Sequence, residues 1–337
     1  MKGLKWVVLL IVGLMLAVAP SGSAFAADIK LTYGAAEAIN HTFSKADLAW
    51  IEYIHKETNG RVQVTPYWGG TLLSRRENTQ ELIKGVADLG YISPRTGYDL
   101  MLGSLSFPFG VGDWKVVARI YDEIRQQFPK MEDEWSKLKI MARSVSSNYQ
   151  LMSTKPVRSA ADFNGLIVKA TGSFVDVVKA LGGDGIYLPM GETYVGLQKG
   201  TIDACFAPLS TITAFKFNEV AKYITIVDLT SSVRPTRAMN LDSYNRLPND
   251  IKAIFDKSVE FWSYQDNQWR DADDIEGLEL AKKTGCEIIT LPKAELAKIY
   301  EVADVAVRKE AANLDKKGLP GTQLYDAVRA LVDKYTK

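Results

Sequence analysis

An α/β fold of two similar lobes facing a shared crevice is what this sequence predicts, on three observations. Strand-like and helix-like hydrophobic runs alternate through residues 28–206. Leu82-Ile-Lys-Gly-Val-Ala-Asp88 is echoed by Leu197-Gln-Lys-Gly-Thr-Ile-Asp203. Residues 249–283 keep helical spacing with no proline and read as one unusually long helix.

The elements follow in order. Asp28 to Tyr33 is a short strand. Residues 42–59 place Phe43, Ala46, Trp50, Ile51 and Ile54 on one helical face and stop at Asn59-Gly60. Val62 to Pro66 is a second strand. Ser74-Arg-Arg-Glu77 reads as a capping box opening a helix that ends at Gly85, and Leu89 to Ser93 is a third strand. The second half repeats the plan: a capped helix at 173–181 closed by Gly182-Gly183, a strand from Ile186 to Leu188, a short helix at 191–199, and a strand from Ile202 to Phe206. In each echoed segment Lys-Gly ends a helix in the left-handed conformation and a strand begins at Asp. Ligands in open α/β sheets bind at the carboxyl ends of strands and between domains. The C-terminal third is helical, with Pro292 to Leu314 and a last amphipathic helix carrying Leu324, Tyr325, Val328, Leu331, Val332 and Tyr335.

Composition bounds the function. The 337 residues suggest two domains, and 47% hydrophobic with 24% charged residues is ordinary globular usage. Lys plus Arg is 41 against 40 Asp plus Glu, which leaves no basic excess for nucleic acid. Two cysteines and two histidines argue against a zinc site, and no metal or cofactor is expected. His41 and His55 do not form a catalytic pair, Gly110-Val-Gly-Asp-Trp-Lys115 lacks the third Gly of a dinucleotide fingerprint, and no hydrolase, zinc-protease or phosphate-loop pattern occurs.

The N-terminus reads as a secretory signal peptide: Lys2 and Lys5, an apolar run from Trp6 to Ala19, and the small-x-small site Ala24-Phe25-Ala26. Cleavage after Ala26 takes the 41 basic residues to 39, near neutrality, and no cysteine stands there to carry a lipid. The expected product is exported and soluble. Cys205, in a run that reads as a buried strand, and the distant Cys286 are expected as buried free thiols.

Gly165-Leu-Ile-Val-Lys169, followed by Leu188-Pro-Met-Gly-Glu-Thr-Tyr-Val-Gly-Leu-Gln-Lys-Gly-Thr-Ile-Asp203 and Pro208, resembles the core motif of the DctP-type solute receptors of TRAP transporters. Gly70 to Glu77 with Gly85 and Asp88, Phe107-Pro-Phe109, and Asn240 to Pro248 are similar to further family segments. The resemblance implies a type II-like, two-lobed periplasmic binding protein with a long helix across both lobes. One lobe would be 27–147 plus 233–272, the other 148–232 plus 273–337. Such a monomeric receptor closes on a small organic anion and delivers it to a permease of small and large membrane subunits. A receptor for a sensor kinase, or an enzyme on the same scaffold, is the alternative.

The resemblance also points to a site. Its arginine, which grips a ligand carboxylate, is replaced here by Lys169, a point charge that fixes a carboxylate plane poorly. Tyr149 stands where several members hold a second Arg, and Phe206-Ala207 where a polar residue precedes the Pro. These departures favour a smaller or more aromatic ligand with one acidic group, a monocarboxylate or a sulfonate. Tyr91 and Phe206 are candidates to stack on it. Arg75, Ser93, Arg95 and Glu37 are first-lobe candidates, and Thr230 offers a hydroxyl where the chain crosses back between lobes. Trp68 is expected to pack its loop, and Glu192 to brace its helix.

Overall fold

The computed structural model describes residues 29–35, 37–39, 41–93, 111–131, 133–171, 174–229 and 233–336. The proposed signal peptide, Arg95, Phe107 to Phe109, Thr230 and Ser231 lie outside them.

The first half builds β1 (Ile29–Gly34), α1 (Thr42–Glu57), β2 (Val62–Tyr67), α2 (Asn78–Ile83), β3 (Leu89–Tyr91), α3 (Trp114–Gln127) and β4 (Leu138–Val145). The middle builds β5 (Gln150–Ser153), β6 (Ile167–Lys169), α4 (Phe174–Ala180), β7 (Asp184–Ile186), α5 (Met190–Lys199), β8 (Ala204–Ala207), α6 (Ser210–Phe215), α7 (Phe217–Val220) and β9 (Tyr223–Ile226). Then come β10 (Val233–Asn240), α8 (Leu241–Asn245), α9 (Asn249–Lys283), β11 (Glu287–Thr290), α10 (Lys293–Lys316) and α11 (Gly321–Thr336).

These strands form two sheets, ordered β2-β1-β3-β10-β4 and β11-β9-β5-β8-β6-β7. Each has parallel βα units, and each takes in an antiparallel strand that has crossed from the other lobe: β10 beside β3, and β5 beside β8. The crossings are bonded together. Leu229 N–H donates to the Tyr149 carbonyl at 3.1 Å, and the Gln150 side chain accepts from Val227 N–H and donates to Asp228 Oδ1. Asp228 sits at φ +41° in this hinge.

The sequence echo has a structural reason. Gly85 and Gly200 end their helices at φ +78° and +70°, where a Cβ is disfavoured. The following aspartates lock the strands. Asp88 accepts from Thr32 N–H and hydroxyl at 2.8 and 2.9 Å, tying β3 to β1. Asp203 accepts from Ile167 N–H at 3.0 Å, tying β8 to β6.

Helix α9 runs unbroken for 35 residues, as its spacing predicts. Its first half buries Trp262 against Trp50 of α1, the rings stacked 4.0 Å apart, inside the first-lobe core. Its second half meets the second lobe at Gly277, where a Cβ would lie 2.1 Å from the Leu209 carbonyl oxygen. Asp274 accepts from Ser210 N–H at 2.7 Å one turn earlier.

Three expectations need correction. The capping box before α2 is only half made: Ser74 Oγ accepts from Glu77 N–H at 3.1 Å, but Ser74 N–H donates to Glu81 and not to Glu77, and residues 75–77 form a turn before the helix. Strand β7 is Asp184–Ile186, two residues early, because pairing with β6 sets its register. Residues 273–337 do not all belong to the second lobe. The apolar face of α11 packs on Val117, Ile120, Tyr121 and Ile124 of α3, beside Val145 and Val233 of the first sheet. Both cysteines are buried free thiols, and burial pushes Cys205 up to about 12. Among the described residues no helix is long and apolar enough to cross a membrane.

Candidate functional site

Where the lobes meet lies a cavity of about 300 Å³. His41 and Phe43, from the start of α1, form part of its first-lobe wall. Pro208 and the α6 residues Ser210, Thr211 and Ala214 form the other. Ser146, Ser147 and Tyr149 of the first crossing bound it near the hinge, with Arg234 at the start of β10 and Arg270 and Asp273 on α9. Burial raises the Tyr149 hydroxyl above its usual value, and nearby Arg234 opposes that rise.

Sequence order explains the placement. His41 caps α1 by accepting from Phe43 N–H at 3.2 Å, which fixes both rings at the crevice edge, 4.6 Å apart. Pro208 follows the last residue of β8 and so stands at the carboxyl edge of the second sheet.

Beneath the cavity lies a buried charge network. Arg237 on β10 is fully buried and pairs with Asp47 of α1 and Asp266 of α9, each at 3.0 Å. Asp47 also accepts from Tyr33 at 2.7 Å and Trp262 at 3.0 Å. Burial alone would raise the Asp266 carboxyl; Arg237 and Arg270 outweigh it and hold the group well below its usual value. Arg237 stays charged because two carboxylates face it despite burial. Its guanidinium lies 5.6 Å from both the Phe43 and the Tyr91 ring centres.

Arg270 carries this network to the cavity. Its Nε donates to Asp266 Oδ2 at 2.7 Å, and its guanidinium lies 4.0 Å over the Phe43 ring. No bond from its Nη atoms is recorded among the described residues. Arg234 is exposed and likewise has no recorded ion pair there.

Of the ligand candidates among the described residues, only Tyr149 lines this cavity; Arg95 and Thr230 lie outside those residues. Tyr91 lies next to it, stacked with Phe43 at 6.2 Å. Phe206 is 1% exposed and packs in the core with Phe163; both faces of β8 are buried, and the cavity lies beyond the strand's carboxyl end. Ala207 is also buried, and it is the next residue, Pro208, that reaches the cavity. Glu37 and Arg75 pair with each other at 2.6 Å, and Ser93 bonds to Asn78 and Thr79 of α2. Trp68 packs edge-on to Tyr33, as expected of a loop anchor.

Lys169 is 2% exposed and is not in the lining of this cavity. Burial lowers its ammonium, and the Cys205 side chain, paired with it in register, opposes that shift.

Sequence reasoning passed over His41, Phe43, Arg234 and Arg270. The available signal was slight: His41 stands directly before a predicted helix, and Arg270 lies within a helix whose apolar stripe was read without its charged flank.

A family model described as bacterial extracellular solute-binding protein, family 7 (DctP), matches residues 33–313. The 2,3-diketo-L-gulonate-binding periplasmic protein of Escherichia coli K12 is 24% identical over 249 residues, 71% of this chain and 74% of that one. A TRAP periplasmic solute binding protein from Desulfovibrio salexigens, solved as an open complex, superposes with TM-score 0.81 at 25% identity, covering 92% of this chain and 97% of that one. A TRAP solute binding protein from Rhodoferax ferrireducens, solved with copurified benzoate, gives TM-score 0.74 at 22% identity over 91% and 98%.

Proposed function

Because this chain belongs to the bacterial extracellular solute-binding proteins of family 7, the DctP family, we propose that it captures a small organic anion between its lobes and delivers it to a TRAP-type membrane permease. The observation that carries the reading is the interlobe cavity, bounded by both lobes and the long helix and lined by Arg234 and Arg270. A cleft with cationic groups beside a hinge of two chain crossings and one long helix suits capture by closure. Solute-binding relatives with organic-acid ligands support the same class. The work is done in the periplasm after removal of residues 1–26, and the receptor itself catalyses no reaction.

Calorimetry over a panel of organic acids and amines, with small-angle scattering of each complex, tests the proposal. Binding of an organic anion with a smaller radius of gyration is expected. An unchanged radius at saturation, or binding of amines alone, would overturn it. Unaltered ligand recovered after long incubation is the expected sign of a receptor without turnover.

A further inference from the structure

From the geometry of the cavity, and resting on the receptor reading above, we infer that the ligand is an aromatic monocarboxylate gripped by Arg270 and Arg234. The anion grip has thus moved from the second-lobe position held by Lys169 to the long helix and β10.

Arg270 is built for this. Asp266 holds its Nε at 2.7 Å, and the Phe43 ring lies 4.0 Å beneath its plane. Two of its three guanidinium nitrogens are left to face a ligand from a fixed plane. Such a fork makes two parallel bonds to a carboxylate, and little side-chain freedom is lost when it does so. Asp266 is itself anchored by the fully buried Arg237, so the fork rests on the rigid first-lobe core. Arg234 reaches the same cavity without an ion pair among the described residues and supplies the second positive charge.

The class of ligand follows from the rest of the lining. The charged lining is two guanidiniums and one half-buried carboxylate, Asp273, a net of one positive charge that suits a monoanion better than a dianion. Phe43, Tyr149, Pro208 and Ala214 offer rings and aliphatic carbon, while Ser146, Ser147, Ser210 and Thr211 add hydroxyls, so the ligand body is a ring that can also carry a polar substituent. A flat ring with a single carboxylate meets both demands. Lys169, 2% exposed and with its ammonium lowered by burial, is not in the lining of this cavity.

Calorimetry with benzoate, cyclohexanecarboxylate, benzenesulfonate and succinate tests this on the mature protein. Benzoate should bind about tenfold more tightly than succinate, and more tightly than the saturated ring or the tetrahedral sulfonate. Arg234→Gln, at an exposed position, should weaken benzoate about tenfold and leave circular dichroism unchanged. Arg270→Lys keeps the charge and loses the fork; it too should weaken benzoate about tenfold. If Arg270→Lys misfolds, the Arg234 variant decides alone. Benzoate binding within about twofold of wild type in a folded variant overturns the grip. A wild type that prefers succinate overturns the ligand class and leaves the receptor reading standing, whereas one that binds no organic anion from the wider panel removes both.

Discussion

Asp266→Asn is the perturbation that measures what the buried network does. The change keeps the side chain's shape and removes its charge. Arg237, fully buried, would keep Asp47 at 3.0 Å and lose its second counter-ion; Arg270 would lose the acceptor that fixes its Nε. Breaking a buried pair on one side costs about 3–5 kcal/mol, because the remaining charge stays desolvated. Exposed pairs behave differently, so Asp250→Asn, which breaks the solvent-facing contact with Arg61, should leave the unfolding midpoint unmoved. Urea unfolding followed by tryptophan fluorescence reports on the right region, since Trp50 and Trp262 stack in the same core. With a slope of about 2 kcal/mol per molar urea, the expected fall in midpoint is about 1.5–2.5 M. A fall below about 0.5 M would refute the reasoning, showing that Asp47 alone satisfies Arg237. Acid should act in the same direction. The folded value of Asp266 lies below its unfolded value, so its contribution is complete above the unfolded value and is lost as pH falls toward the folded one.

Three further outcomes are expected. Lys169→Met should be more stable than wild type at neutral pH, with the gap closing as pH climbs toward the ordinary lysine value. Between the folded and unfolded values the unfolded chain holds more protons, so wild-type stability rises there; thermal melts across alkaline pH check this, and a pH-independent gap would contradict it. Phe206→Ala should cost about 3–5 kcal/mol in denaturant unfolding yet leave the affinity of the folded fraction unchanged, since its ring lies in the core and not at the ligand. Gly277→Ala places a methyl against the Leu209 backbone and should cost about 1–3 kcal/mol, with a larger radius of gyration as α9 is pushed off α6; an unaltered melt would show that the contact yields freely.

Local chemistry made much of the fold legible. The Lys-Gly stops before Asp88 and Asp203, the proline-free run of α9 and the amphipathic last helix are short-range signals, and each appears in the structure where the spacing places it. Strands β4, β5, β9, β10 and β11 were not read. β10 carries Arg234 and Arg237 among its residues, and such charges hide a strand whose polar side chains are satisfied by distant partners. The site was less legible than the fold. Phe206 was placed in the crevice because its strand points there, but both faces of that strand are covered by core, and only the chain past its carboxyl end, at Pro208, reaches the cavity.

The sequence by itself determined the α/β class, the paired lobes, the long helix and the family, because these rest on periodicity and on motifs contiguous in the chain. Only the tertiary structure decided which lobe the last helix joins and which charges face the ligand space. Asp47, Arg237 and Asp266 lie far apart along the chain, yet they form one network 3.0 Å from charge to charge. No local pattern encodes that meeting. It arises where α1, β10 and α9 pack together, and their shared counter-ions set the plane of Arg270 at the mouth of the crevice.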